Sequence, residues 1–516
     1  MTKLLIAVAV VLIYLFLPKS PSVISKCPDY TSYASTPHPP YSNGPLKLPF
    51  MRPSEDCRTF HSDTIESIIE EYKSKLKDPD LARLFENAFP NTLDTTIQWH
   101  DTNMPRTFIS TGDIPAEWLR DSARQLSVYQ KFITMDESLL TLIKGAILQQ
   151  AEYIIDDPYC NAFQPPKKSK IEPRIPSFDD VTPRPDWSKV FECKWELDSL
   201  ASFLTLTNDY IDNSRDFSIL DNELVTQALI KIASVLKQEM ISTFQPNGEL
   251  NRVRYTFKRT TNIGSETLPL SGYGNPLNAV GLIRSSFRPS DDACIFQYLI
   301  PSNAHMYTEL TRVIPTLKSY NDPKIMSVSL STILQSIADS VYEGIEKHAI
   351  VNHPIYGDVY AYEIDGFGGV NLMDDANIPS LLSLADVGYS DKSNKVYQNT
   401  RKMILSASNP YYVRGKFISG IGGPHVGLKY AWPMSILVQI RTSDDEEEIT
   451  KLLEIIKTTT GGLGLIHEGV KVNSPMGQSY TRPWFSWANS EFAKTIIDLG
   501  DRKPWLIFHD KTLDKE

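Results

Sequence analysis

Two adjacent carboxylates, Asp291 and Asp292, lie in the middle of residues 287–303, which read FRPSDDACIFQYLIPSN. The preceding proline cannot lie inside a helix and the serine is a good N-cap, so the acid pair is predicted to open a helix or a tight turn. In most proteins two acids at such a turn cap the helix and complement its dipole. Here an arginine and a tyrosine flank them, and similar groups of acidic and aromatic residues recur along the chain, which favours a shared chemical site.

Five segments combine carboxylates with aromatic and basic residues, each at a predicted junction between a loop and a helix. Any one of them alone is explained by helix caps, loop salt bridges and buried indoles. Five such segments in one chain favour a single site to which all of them contribute. They are residues 111–122, 191–199, 287–293, 362–377 and 466–489.

Paired acids of this kind are suited to the hydrolysis of a glycosidic bond. That reaction needs one protonated carboxyl, which donates to the leaving oxygen, and one ionised carboxylate, which activates water or attacks the anomeric carbon. The five segments supply candidates for both. Their arginines and remaining acids could hydrogen-bond sugar hydroxyls, and their tryptophans could stack on sugar rings.

Composition and motifs disfavour several other classes of protein. The 516-residue chain has a formal net charge of -10 and no basic stripe, which argues against nucleic acid as a partner. It contains no GxSxG, P-loop, HExxH or GxGxxG motif, and its nine histidines are scattered. No cofactor or metal is therefore expected, although abundant carboxylates leave a calcium site open as an alternative. Five cysteines without a CxxC motif allow one or two disulfides, with Cys27 and Cys57 as a candidate pair.

Helical patterns, with apolar residues three and four positions apart, dominate from about residue 62 onward. Many such helices and few convincing strands predict an all-α domain. The unequal connections contain nearly all of the unusual clusters, as in an (α/α)6 barrel of six helical hairpins whose loops build a central funnel. A non-toroidal helical bundle fits the helix count equally well. The predicted helices span residues 64–76, 122–132, 137–155, 197–209, 222–243, 304–317, 325–347, 378–385, 394–406, 429–440, 446–459 and 485–499.

The N-terminal segment predicts entry into the secretory pathway. Residues 4–17 form an unbroken apolar run, shorter than the ~18–20 residues of a comfortable membrane span, which is typical of a signal-peptide core or a short signal anchor. Cleavage and membrane anchoring through this run are both expectations. The predicted organisation is a signal peptide or anchor at 1–20, a Pro/Ser/Tyr-rich stem or strap at 21–58, and one catalytic domain at 59–510.

Several stretches carry a specific combination of motifs, in order between about residues 101 and 499: TGDIPAEWLRDS, DPYCNAF, ECKWELDSL, FRPSDDACIFQYLIPSN, YAYEIDGFGG with LMDDANIPSLL, GIGGPH, and GLGLIHEG with TRPWFSWAN. In this combination the chain resembles glycoside hydrolase family 125, the exo-acting α-1,6-mannosidases, and looks like its fungal members. The resemblance implies an (α/α)6 barrel and metal-independent hydrolysis of terminal α-1,6-linked mannose, with inversion at the anomeric carbon. It also implies a mannose-containing oligosaccharide or glycoprotein glycan as the partner.

The same resemblance assigns roles to particular residues. The general acid is Asp291 or Asp292, between which the sequence does not decide, and the general base is Glu468. For an inverting enzyme the two carboxyls should lie roughly 6.5–9.5 Å apart, leaving room for water. The other motifs are expected to contact the substrate through Asp113, Trp118, Arg120, Asp121, Glu196, Asp198, Arg288, Asn303, Asp374, Asp375, His425, Arg482 and Trp484.

Two alternative functions follow from the same segments. A calcium-dependent α-1,2-mannosidase of the other α/α-barrel type would use similar carboxylates and would lose activity with EDTA. A non-catalytic mannan-binding protein on a hydrolase scaffold would often lack one catalytic acid, whereas both are present here. Release of mannose from an α-1,6-linked mannobiose separates the enzyme from the binding protein.

Overall fold

A computed structural model describes residues 27–510, so the apolar run at 4–17 lies outside the described residues. Within the described range, twelve helices of nine or more residues are connected by loops of very unequal length. These helices are α1 (Asp63–Lys75), α2 (Pro79–Ala88), α3 (Leu119–Ser127), α4 (Glu137–Asp156), α5 (Leu197–Ser214), α6 (Glu223–Glu239), α7 (Ile300–Ser319), α8 (Leu330–His348), α9 (Lys395–Ile404), α10 (Pro433–Arg441), α11 (Glu446–Thr458) and α12 (Ser486–Arg502).

The helices form two concentric rings. The inner ring closes on itself through the contacts α3 to α5, α5 to α7, α7 to the 3-10 turn Leu382–Leu384, that turn to α10, α10 to α12, and α12 back to α3. Outside it, α4 contacts α6, α6 contacts α8, and α11 contacts α2. This closed double ring is the predicted (α/α)6 barrel rather than a non-toroidal bundle.

The apolar patterns of the two rings differ because their surroundings differ. Every residue of the inner helix α10 is buried, since the helix is enclosed by neighbours on all sides. The outer helix α11 buries mainly Ile449, Leu452, Leu453 and Ile456, which recur every three or four residues on one face. A single large apolar cluster fills the space between the rings.

Short strands lie in the loops between the described helices, and none of them pairs into a sheet of more than three strands. Most have only two to four residues, too few to show a period-two pattern in sequence. They are β1 (Ile97–Asp101), β2 (Arg106–Ile109), β3 (Glu117–Trp118), β4 (Ala162–Phe163), β5 (Asp180–Thr182), β6 (Val190–Glu192), β7 (Thr256–Lys258), β8 (Tyr298–Leu299), β9 (Lys324–Ile325), β10 (Val328–Ser329), β11 (Ile350–His353), β12 (Gly357–Tyr360), β13 (Glu363–Ile364), β14 (Val370–Asn371), β15 (Tyr412–Val413), β16 (Gly420–Ile421), β17 (Tyr430–Ala431) and β18 (Val470–Lys471).

Most predicted helices correspond to observed ones, with ends displaced by a few residues. The prediction of a helix at 378–385 is wrong: the structure has only the 3-10 turn Leu382–Leu384 there, and the N–H groups at its start donate to the side chain of Asp374. The pattern does not predict α2, although Asp78 caps it and Pro79 lies in its first turn, which are two ordinary start signals.

Residues 27–58 lie along the barrel surface and are fixed to it by side chains. Buried Arg52 pairs with Asp94 (2.7 Å) and also with Glu66 of α1. The candidate pair Cys27 and Cys57 forms a disulfide. No described helix is both long enough and apolar enough to span a membrane. The predicted domain bounds stay a prediction.

Candidate active site

A pocket lies at the N-terminal ends of the inner helices. Trp118, Trp432 and Phe485 are the N-cap residues of α3, α10 and α12, and all three line this pocket. The positive ends of the dipoles of these three helices therefore point towards it. The cavity has a volume of about 50 Å³ and is lined by Thr111, Ile114, Trp118, Arg120, Asp121, Pro289, Ser290, Asp291, Asn377, His425, Trp432, Glu468, Arg482, Phe485 and Trp487.

Asp291 reaches the pocket from a tight turn, one of the two structures that the sequence allowed. The N–H of Asp291 donates to the carbonyl of Arg288 (2.9 Å), and the N–H of Arg288 donates to the carbonyl of Asp292 (2.8 Å). Helix capping by the acids is excluded, because α7 begins only at Ile300. Asp291 has a φ of 65°, in the left-handed region that residues other than glycine rarely adopt. A strained residue of this kind at a cavity marks a functional position.

Asp292, its neighbour, is not among the residues that line the cavity. Its side chain is 3% exposed, and its Oδ2 lies 3.8 Å from Nδ1 of His425. Burial raises the pKa of Asp292 above its ordinary value, with His425 opposing this effect and the charge of Asp375 adding to it. Asp375 itself is buried and accepts a hydrogen bond from Oγ of Ser290 (2.8 Å). The turn therefore directs its two acids into different surroundings.

Arg120, in the first turn of α3, gathers four carboxyl groups around one guanidinium. Its Nη1 lies 2.6 Å from Oε2 of Glu196 and 3.2 Å from Oδ2 of Asp198. Its Nη2 lies 3.1 Å from Oδ2 of Asp121 and 3.6 Å from Oδ1 of Asp291. Asp291 has the largest exposed fraction of the four, 23%, and the others are almost fully buried. The cluster is therefore a dry wall of the pocket from which Asp291 faces the cavity.

This wall holds its carboxyl groups at different pKa values. Burial raises the pKa of Asp121 to about 6, with Arg120 opposing the effect and the charge of Asp291 adding to it. Burial also raises the pKa of Glu196 well above its ordinary value despite Arg120, and the charge of Asp291 raises it further. For Asp291 itself, burial acts in the same direction, but Lys194 and Arg120 outweigh it and lower the pKa below its ordinary value.

Glu468 enters the same pocket from the loop that precedes α12. Its Oε1 lies 3.2 Å from Nε of Arg482, whose Nη1 donates to Asp113. The ring of His467 stacks on Tyr480, and its Nδ1 lies 2.9 Å from the carbonyl oxygen of Arg482. Burial lowers the pKa of His467 to about 4, so near neutral pH the ring is uncharged and its Nδ1–H donates to that carbonyl. The histidine thereby fixes the backbone of the arginine beside Glu468.

Asn303 and Arg288, two of the predicted contact residues, have protein partners and do not line the cavity. Asn303 is fully buried, and its amide exchanges hydrogen bonds with the N–H and the carbonyl of Ile283 (2.9 Å each). Arg288 is also buried and pairs through Nε with Oε1 of Glu363 (2.7 Å). Both residues hold the loops around the turn of Asp291 in place.

Asp374 and Trp484 are likewise part of the framework behind the pocket. Asp374 accepts a hydrogen bond from the N–H of Leu381 (2.8 Å), just before the 3-10 turn of the inner ring. Trp484 is 3% exposed and meets the ring of Tyr30 edge-on, with 4.9 Å between centroids. A Cβ at Gly112 would lie 3.1 Å from the Trp484 ring, and its φ of 143° also favours glycine. The N-terminal strap thus supports the wall that carries Asp113.

Sequence reasoning missed part of the pocket wall. Trp432, Phe485 and Trp487 line the pocket but are absent from the predicted contacts, as is Lys194 beside the acidic cluster. One signal could have found Trp432: like Trp118, it is an aromatic residue directly before the first residue of a buried helix. Trp118 and Trp432 lie hundreds of positions apart in the chain, so no local pattern links the two.

The pocket combines a carboxylate on a buried acidic cluster with a second one beside an arginine. Among residues 27–510, no group of three or more His, Cys, Asp or Glu side chains is arranged to hold a metal ion. The two carboxylates are the groups that acid- and base-assisted hydrolysis of a glycosidic bond requires. With the closed double ring of helices, they define a glycoside hydrolase of the (α/α)6 class.

Comparison with known proteins specifies the class. Residues 78–497 match the family of metal-independent α-mannosidases, GH125. The chain therefore belongs to this family, and the family and fold predicted from the sequence are both confirmed.

Two relatives show the extent of the similarity. The chain is 52% identical over 487 residues to the Meiotically up-regulated gene 157 protein of Schizosaccharomyces pombe, over 93% of this chain and 94% of that protein. It is 32% identical to a metal-independent α-mannosidase from Streptococcus pneumoniae, solved as a non-productive substrate complex with α-1,6-mannobiose. That match has a TM-score of 0.78 and covers 86% of this chain and 100% of the other.

Proposed function

We propose that this protein is an inverting exo-α-mannosidase that removes terminal α-1,6-linked mannose from oligosaccharides or glycoprotein glycans. The proposal depends on one observation: Asp291 and Glu468 line the same small pocket in unlike surroundings. The cavity is small, with a volume of about 50 Å³, and indole, phenyl and charged side chains line it. A pocket of this size suits the end of a glycan better than its middle.

In this proposal Asp291 is the general acid and Glu468 is the general base. Asp291 is preferred to Asp292 because it lines the cavity and is 23% exposed, against 3% for its neighbour. Glu468 takes a proton from water as the water oxygen bonds to the anomeric carbon. The bond from that carbon to the leaving oxygen breaks at the same time, and Asp291 donates its proton to the leaving oxygen. Attack from the face opposite the leaving group inverts the configuration.

Unpaired polar atoms in the wall support a sugar as the ligand. The indole N–H groups of Trp118 and Trp432 are buried and have no hydrogen-bond partner among the described residues. Buried polar groups without partners are costly, so a ligand rich in hydroxyl groups would stabilise this wall. His425 and Arg482 line the same cavity and are proposed as further contacts.

The α-1,6 linkage is supported by the mannobiose bound to the Streptococcus pneumoniae relative. The test is release of mannose from α-1,6-mannobiose and from α-1,2-mannobiose, each with and without EDTA. We expect release from the α-1,6 disaccharide, unchanged by EDTA. Preference for the α-1,2 disaccharide together with loss in EDTA would favour the calcium-dependent alternative. Binding of mannan without release of mannose from either would favour the non-catalytic alternative.

We also propose that the protein works in the secretory pathway, as the apolar run at 4–17 leads us to expect. Two disulfides, Cys27–Cys57 and Cys160–Cys193, support an oxidising compartment. Anchoring through the apolar run remains part of this proposal. Membrane fractionation of cells that express the full chain tests it: carbonate-resistant membrane association indicates an anchor, and a freely soluble luminal or secreted product indicates cleavage.

A further inference from the structure

Glu196 is a buried carboxyl group for which the proposed reaction gives no role. It is the N-cap residue of α5 and is fully inaccessible to water. Its Oε2 lies 2.6 Å from Nη1 of Arg120, and Oδ1 of Asp291 lies 3.6 Å from Nη2 of the same guanidinium. Oδ1 of Asp291 is buried and has no hydrogen-bond partner among the described residues, so a proton held by the neighbouring carboxyl group would satisfy it.

The surroundings of the pair favour retention of that proton. Arg120 is shared among four carboxyl groups, and Lys194 lies 3.5 Å from a further one, Glu192. Like charges held this close in a dry site cannot all ionise, so the cluster keeps a proton that isolated acids would lose. The charged and titratable groups that face the pair are Arg120, Asp121, Glu192, Lys194, Asp198 and His425.

Neutral donors fix the orientation of Glu196. Nδ2 of Asn161 donates to its Oε1 (3.2 Å), and Oγ of Ser199 donates to its Oε2 (3.2 Å). Together with Arg120, these contacts prevent the carboxyl group from rotating away from Asp291. Asp291 has more freedom, because it faces the cavity on its other side.

We propose that Glu196 and Asp291 hold one proton between them, and that Glu196 passes it to Asp291 when Asp291 protonates the leaving oxygen. This inference rests on the proposed function. The O–H bond of Glu196 breaks as an O–H bond to Asp291 forms, and that bond breaks in turn as the leaving oxygen takes the proton. The pair then carries one proton fewer and Glu468 one more, and exchange with solvent restores both. Glu196 acts through Asp291 and is therefore a positioning residue.

The test compares Glu196→Gln with the wild type on two substrates. The disaccharide α-1,6-mannobiose has a leaving group that needs a proton, whereas 2,4-dinitrophenyl α-mannoside has one that does not. We expect kcat on mannobiose to fall by about 100-fold or more, the usual size of general acid catalysis, and kcat on the aryl mannoside to change by less than about five-fold.

The pH profile gives a second readout. In Glu196→Gln the remaining proton must be held by Asp291 alone, whose pKa is lowered by Lys194 and Arg120. The alkaline limb of the mannobiose profile should therefore move to lower pH. Asp209→Asn is the matched control, because Asp209 lies on the same helix α5 but pairs with Arg312 (2.6 Å), outside the pocket and the acidic cluster. In this control we expect the ratio of kcat on mannobiose to kcat on the aryl mannoside to equal that of the wild type. The alkaline limb of its pH profile should also stay where the wild type has it.

Equal losses on both substrates with an unmoved alkaline limb would overturn the inference and leave Glu196 a structural residue. If Glu196→Gln does not fold by circular dichroism, Glu196→Asp decides, since its shorter side chain should break the contact and give the same selective loss on mannobiose. Equal losses in that variant would again overturn the inference. A wild-type enzyme that releases no mannose would instead refute the proposed function itself.

Discussion

The two carboxylates that we propose as catalytic share one pocket but lie in unlike surroundings. Asp291 borders a cluster in which Arg120 and Lys194 face several buried acids. Glu468 lies beside Arg482, whose side chain is 24% exposed and continues to the partly exposed Asp113. One wall is dry and rich in acids, whereas the other is an ion-pair chain that reaches solvent.

Each environment suits the role proposed for the residue within it. A general acid needs a proton near neutral pH, and because Lys194 and Arg120 lower the pKa of Asp291, the buried cluster must hold that proton for it, on Glu196 in the proposed relay. A general base must take a proton from a water molecule, and Glu468 lines the cavity in which that water would lie, with Arg482 beside it. The two residues belong to separate loops, so each environment can be set independently of the other.

The largest expected effect is that of Glu468→Gln, because hydrolysis of either substrate needs a water molecule that the base activates. We expect kcat to fall by about 1,000-fold or more on α-1,6-mannobiose and on the aryl mannoside alike, towards the upper end of general base contributions. Steady-state kinetics on both substrates measures the loss, and calorimetry with mannobiose should show that binding is retained. Hydrolysis at the wild-type rate would refute the role of Glu468.

A smaller and more selective effect is expected for Asp291→Asn. Loss of the acid should reduce kcat on mannobiose by about 100- to 10,000-fold, with a much smaller reduction on the aryl mannoside. Comparison of the two substrates therefore separates the role of Asp291 from that of Glu468. Asp292→Asn is the matched control from the same turn and should show no such selectivity. A selective loss on mannobiose in Asp292→Asn but not in Asp291→Asn would assign the general acid to Asp292.

The smallest effect is expected for Asp113→Asn, which weakens the ion pair between Asp113 and Arg482 beside Glu468. Exposed ion pairs are worth about 0.2–1 kcal/mol, so kcat/KM should fall by about two- to five-fold. The effect should shrink at high salt, since screening already weakens the pair in the wild type. Asp501→Asn removes a surface ion pair with Lys131 and serves as the control. A loss beyond about 100-fold would place Asp113 in direct contact with the reacting sugar.

Sequence predicted the members of the site better than their arrangement. Asp291, Glu468, Arg120 and Arg482 could be named because acids, arginines and aromatic residues cluster at predicted loop-to-helix junctions. The turn that carries Asp291 was predicted only as one of two structures, since a Pro-Ser start suits a helix equally well. The hydrogen bond from Ser290 in this turn to Asp375, 85 positions away, is a contact that no local pattern reveals.

The same limit explains which contact residues do not line the pocket. Asn303 lies in a motif that also carries Asp291, yet its amide is used entirely by nearby backbone groups. Whether a polar side chain in a motif faces the cavity or holds a loop depends on the direction of its backbone. Trp432 shows the reverse case, since it lies outside every predicted contact but caps an inner helix at the cavity.

The most direct test of the proposed acid and base pair is the configuration of the first sugar released. Proton NMR during digestion of α-1,6-mannobiose by the wild-type enzyme shows the released anomer before mutarotation. The proposed single displacement by water, with Asp291 as acid and Glu468 as base, predicts that β-mannose appears first. Initial release of α-mannose would indicate retention through a covalent intermediate and would contradict the roles proposed for both carboxylates.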